Sequence, residues 1–115
     1  MDEKLEKALA FSNYMITLHN QSKIFQEQYA QNSIYYTNGN QFTVTKELIS
    51  FCDTMIRNDH IALILVDDNN IPVNVEDLKS FFKDILNVYF RATNRYLTEY
   101  SQIRKQRTVE NLVNL

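Results

Sequence analysis

Over the first thirty positions, Ala8, Phe11, Met15, Leu18, Ser22, Phe25 and Tyr29 recur at alternating steps of three and four. That spacing is a heptad seam, and it predicts a helix over about residues 2–31 packed lengthwise on another helix. Leu5, Leu9 and Ile16 widen the stripe, as expected of a helix that also rests on a sheet. The last third of the chain repeats the pattern with Leu78, Phe82, Ile85, Tyr89, Ala92 and Tyr96, and Ile103 resumes it one turn further on. A second long helix is therefore predicted, capped by Asn74, with Glu76 and Asp77 in its first turn, running to about Arg107. Arg104, Lys105 and Arg107 suit the negative end of its dipole.

Between these helices the period changes from 3.6 to 2. The stretch from Ser33 to Val44 reads as a hairpin turning at Asn38-Gly39, because both central turn positions need positive φ and the only glycine falls there. Thr45 caps a predicted short helix from Lys46 to about Arg57, with Leu48, Phe51, Cys52 and Met55 on one face, ended by Asn58-Asp59. Ile61 to Val66 is continuously apolar and predicts a strand covered on both faces. Asp67-Asp68-Asn69-Asn70 turns the chain, and Ile71 to Val73 returns as an edge strand, since Pro72 cannot donate to a ladder. The expected fold class is α+β in the order α-ββ-α-ββ-α. Two long antiparallel terminal helices flank two β-hairpins forming a small antiparallel sheet, with a short helix between the hairpins. Residues 1–107 form a single domain, and residues 108–115 an apolar C-terminal tail.

Composition supports this reading. Apolar residues are 44% of 115, enough for a core, and one Gly and one Pro leave little room for long loops. The lone Cys52 excludes an intramolecular disulfide and a cysteine zinc quartet, reads as a buried thiol, and favours a reducing compartment. The opening Met1-Asp2-Glu3-Lys4 does not read as a signal peptide, and the run Ile61 to Val66 is too short to span a bilayer. The expectation is a soluble intracellular protein. Net charge is −2, but Asp59, Asp67, Asp68, Glu76 and Asp77 lie in a stretch without Lys or Arg. Arg91, Arg95, Arg104, Lys105 and Arg107 lie in another where Glu99 is the only acid.

The chemistry-bearing residues are sparse. His19 and His60 are the only histidines, and no Ser-His-Asp spacing, glycine-rich phosphate loop or Cys-His pairing is visible, so no enzyme, cofactor or metal is expected. The acidic turn lacks the glycine of a calcium loop and has Leu78 where its bidentate glutamate would stand. Two classes of partner remain. Protein contacts, including homo-oligomerisation, would use the helix seams and tail: Phe11, Met15, Leu18, Tyr96, Ile103, Val109, Leu112, Val113 and Leu115. The alternative is nucleic acid gripped by Arg91, Arg95, Arg104, Lys105 and Arg107 with interleaved tyrosines.

Three stretches carry a resemblance: Phe42-Thr-Val-Thr-Lys-Glu-Leu-Ile-Ser-Phe51, Val66-Asp-Asp-Asn-Asn-Ile-Pro-Val73, and Thr98-Glu-Tyr with Arg107-Thr-Val-Glu-Asn-Leu-Val113. They resemble small proteins of contractile-tailed bacteriophages, the cyanobacteria-infecting kind in particular. The resemblance implies a virion component or assembly accessory factor in the host cytoplasm, and carries over no functional residue. The architecture is also similar to prefoldin-like chaperones, which set paired helices beneath hairpins, although here a helix from Lys46 to Arg57 intervenes.

Overall fold

The computed structural model describes the backbone of residues 2–114 and the side chains of residues 2–105. The elements are α1 (Glu3–Asn32), β1 (Ile34–Thr37), β2 (Asn40–Thr43), α2 (Lys46–Arg57), β3 (Leu63–Val66), β4 (Pro72–Val75) and α3 (Leu78–Asn114). The class is α+β and the order α-ββ-α-ββ-α. Two compact units emerge, residues 30–94 and residues 1–29 with 95–115.

In the unit of residues 30–94, the β1–β2 hairpin turns as its sequence demands. Asn38 has φ 48° and Gly39 φ 79°, the paired positive values of a type I′ turn. Ile34 pairs with Thr43 and Thr37 with Asn40. Thr45 caps α2, its Oγ1 accepting from the Leu48 N–H at 3.1 Å. The other end of α2 closes in a Schellman arrangement, with the Asp59 N–H donating to Ile56 and the His60 N–H to Met55. Asp59 occupies the left-handed position of that motif, φ 66°, where glycine is the usual residue.

Both hairpins and α2 close on the first turns of α3. Leu78 and Ile85, with no exposed surface, and Phe81 meet Phe42, Val44, Cys52, Leu65 and Val75 in one core. Phe81 takes Tyr35 and Phe42 edge to face, with ring centroids 5.7 and 5.2 Å away.

Several details depart from the sequence pattern. Strands pair only within their own hairpins, so the small sheet is realised as two two-stranded sheets. Asp68 joins them: its N–H donates to the Gln41 carbonyl, and its carboxylate accepts from the Thr43 N–H, the Thr43 hydroxyl and the Gln41 amide. That is a single parallel-type bridge opposite Phe42 in which a carboxylate replaces the usual carbonyl. The return strand extends to Val75, so Asn74 lies in β4 and the cap of α3 falls to Asp77, whose Oδ1 accepts from the Ser80 N–H at 3.1 Å. On α2, Leu48, Ile49, Met55 and Ile56 flank Cys52 in the core and Phe51 is 47% exposed. The helix break expected near Arg107 is absent from the backbone, since no Gly or Pro interrupts α3 before Asn114.

In the other unit, Tyr29 stacks on Tyr96 with centroids 4.9 Å apart. Leu18 and Ser22 face Tyr100 and Ile103 across a small cleft. Numbers fall along one helix as they rise along the other, so the two segments run antiparallel. Leu18 and Ile103 are buried there.

Two outcomes test these assignments. Asp59→Gly removes the side-chain penalty of the left-handed conformation and should stabilise the chain by about 0.5–1 kcal/mol in urea denaturation. Asp68→Ala should destabilise it by about 1 kcal/mol at pH 7, less than the ~1.5–3 kcal/mol of a sheltered charged hydrogen bond because Asp68 is exposed. Burial works to raise the Asp68 pKa, but the hydrogen bonds from Thr43 and Gln41 outweigh it and the net direction is down. A depressed carboxylate stabilises fully above its unfolded value, about 3.9, and loses that contribution as pH falls through the folded value. The difference between wild type and Asp68→Ala should therefore shrink on acidification below about pH 4.

Candidate interaction surfaces

The β3–β4 hairpin has two faces set by its register. Leu63 pairs with Val75 and Leu65 with Val73, and these four side chains turn toward the core. Ile64 pairs with Asn74 and Val66 with Pro72, placing them on the opposite face. Ile64 is 68% and Val66 62% exposed, and Ile61 and Ile71 near the hairpin ends are 80% and 50% exposed. The strand read as covered on both faces is thus covered on one. The connecting turn is held by Asp67, whose Oδ1 accepts from the N–H groups of Asn69 and Ile71 at 2.9 and 2.8 Å. Asn70 there takes φ 62°. Asp67 is buried, and its Oδ2 accepts no hydrogen bond from the protein. Among the described residues no group of three or more His, Cys, Asp or Glu is arranged to hold a metal ion.

The same unit carries a cleft of about 420 Å³ lined by Tyr35, Val73 to Asp77, Ser80, Phe81 and Asp84, among others. The Tyr35 hydroxyl donates to Asp84 at 2.7 Å, tying β1 to α3. Burial first, then the Asp84 carboxylate, raises the Tyr35 pKa above its ordinary value, so the hydroxyl remains a donor. Glu76, Asp77 and Asp84 add acceptors, and no histidine, cysteine or cation lines the cleft. Cys52 lies fully buried in the core, and burial pushes its thiol up to about 11.

The seam residues divide in the unit of residues 1–29 and 95–115. Leu18, Tyr96 and Ile103 spend their apolar surface inside it, Met15 is half-buried and Phe11 is 49% exposed. Leu5, Leu9 and Ile16 lie away from the seam of α1. At 100° per residue they cluster within about 40° on the side of α1 opposite Leu18, and each is about half exposed. A cleft of about 130 Å³ between the helices is lined by Leu18, His19, Ser22, Tyr100, Ile103 and Arg104. Val109, Leu112, Val113 and Leu115 of the tail, with Arg107, lie outside the described side chains.

The basic positions are spread over both units. Arg91 Nε donates to the Asn87 carbonyl in one. In the other, Arg95 pairs with Glu99 at 2.9 Å, and the Arg104 guanidinium lies 5.2 Å from the Tyr100 ring centre. One face of Tyr96 is taken by Tyr29, and the Tyr100 ring lies nearly perpendicular to it with centroids 6.1 Å apart. Lys105 is exposed.

The residues missed from the sequence are Ile64 and Val66. Their unbroken neighbourhood masked the alternation that Pro72, Asn74 and the turn reveal once the register is known. No described helix is long and apolar enough to cross a membrane. No family model, curated protein or solved structure matches the chain.

Cys52 supplies a check on the core. In native protein at pH 8 it should react with a thiol reagent at least a hundredfold more slowly than in urea-unfolded protein, since a thiol near 11 that is also buried presents almost no thiolate.

Proposed function

We propose that this chain is a non-enzymatic protein–protein interaction or assembly module, and that the outer face of β3–β4 is its docking surface. One observation carries the reading: Ile64 and Val66, on the outer face of one small hairpin, are 68% and 62% exposed, and Ile61 and Ile71 are exposed just beyond its strands. The outer face of a hairpin with one side on a core ordinarily carries polar side chains. Fully burying an exposed Ile or Val is favourable by about 1.5–3 kcal/mol. Several together offset a large share of the ~4–15 kcal/mol lost on association. A clustered aliphatic face of this kind marks a surface that a partner covers. The exposed stripe of Leu5, Leu9 and Ile16 offers a second, narrower contact. A small assembly component, as the resemblance to contractile-tailed phage proteins implies, accords with this use.

Site-specific photo-crosslinking in cells tests the reading. A crosslinker at Ile64 should give discrete protein adducts, itself or another chain, that one at exposed Glu47 does not. Ile64→Thr with Val66→Thr keeps β-branched residues on the strand and should leave the circular dichroism spectrum unchanged. Identical crosslinking from positions 64 and 47 would refute the assignment.

A further inference from the structure

We propose that the outer face of β3–β4 receives the C-terminal segment, residues 104–115, of a second copy of this chain. The inference rests on the docking role of that face and names its occupant. Charge complementarity carries it. The segment from Asp59 to Asp77 that contains the hairpin holds five carboxylates and no Lys or Arg. Of these Asp59, two residues before Ile61, Asp68, at the turn, and Glu76 and Asp77, after β4, are exposed. Two such faces packed on each other would bring like charges together, so symmetric face-to-face pairing is disfavoured. The fitting partner is an aliphatic stretch accompanied by cations.

The chain contains one such stretch. Arg104, Lys105 and Arg107 put three cations within four residues against the single Glu110, and Val109, Leu112 and Val113 follow at helical spacing. The cations of the opening segment, Lys4 and Lys7, are instead interleaved with Glu3 and Glu6. The backbone is helical through Asn114, which gives an apolar-and-basic helix to lay on an acid-edged aliphatic face. The contact is heterologous, face to tail, so it propagates from copy to copy.

Heterologous contacts allow a complementation test. One variant, Ile64→Thr with Val66→Thr, loses the face and keeps the tail. The other, Lys105→Glu with Arg107→Glu, loses the tail and keeps the face; Arg104 is left in place because it packs on Tyr100. By light scattering at 50 mM salt, the wild-type mass should rise with concentration and each variant alone should remain monomeric with the wild-type circular dichroism spectrum. Their mixture should form a one-to-one heterodimer, because a single good face meets a single good tail. Raising salt to 0.5 M should weaken that heterodimer severalfold. A synthetic peptide of residues 104–115 should shift the methyl resonances of Ile64 and Val66 in the Lys105→Glu, Arg107→Glu protein. A wild type that stays monomeric at hundreds of micromolar, or variants that fail to complement, overturn the proposal. If Ile64 then still crosslinks to a different protein, the docking role stands and only its occupant is wrong.

Discussion

Closure of the core over the first turns of α3 is the constraint on which the unit of residues 30–94 depends. Leu78, Phe81 and Ile85 present a short apolar column, and each of the other elements reaches it with few side chains: Phe42 from β2, Cys52 from α2, Leu65 and Val75 from β3 and β4. A four-residue strand has two residues on each face, so each hairpin has few inner positions to give, and β3–β4 commits all four of its own. Shifting β3 by one residue would drive Ile64 and Val66 into the core and expel Leu65. The Leu78 N–H donating to the Ile61 carbonyl at 2.9 Å holds the register at the point where α3 begins.

Polar chemistry does the work that a continuous ladder would do elsewhere. Two two-stranded hairpins are marginal by themselves, and here they meet through Asp68, by one backbone hydrogen bond to Gln41 and by its carboxylate. The residue before it, Asp67, spends its carboxylate on the turn, and Asp77 spends its own on the helix cap. Three carboxylates of the acidic stretch therefore have structural tasks that the sequence alone presents only as charge. Asp59 adds a fourth, tolerating a left-handed backbone that ends α2. The acidity of this stretch follows from turns and caps, and its electrostatic consequence at the hairpin face comes with them.

Much of the architecture was legible from periodicity and punctuation. Asn38-Gly39, Thr45 and Asn58-Asp59 act locally, through φ preferences and one side-chain bond each, so their positions in the sequence fix their positions in the fold. The limits were non-local. Whether Ile61 to Val66 is covered on one face or two depends on how many layers surround it, which no window of six residues contains. Asn74 and Asp77 are both good caps, and the choice between them was made by strand pairing of Asn74 with Ile64. On α1 the seam of three and four was correct for Leu18, whereas Leu5, Leu9 and Ile16 fell on the far side, because their mutual spacing of four and seven defines a stripe of its own.

The division between covered and uncovered apolar residues also bears on which surface matters. Seam residues such as Leu18, Tyr96 and Ile103 looked available because a long helix needs a neighbour, and the neighbour proved to be the chain's own second helix. What is left over is informative where apolar side chains stay exposed together. The back of α1 qualifies, but its three residues are separated by polar turns and make a narrow contact. The hairpin face qualifies more strongly: a strand pleat brings Ile64 and Val66 to the same side about 7 Å apart, with Pro72 opposite Val66. Its rigidity is already secured by the core beneath it, so a partner covering it loses little additional conformational entropy on the protein side.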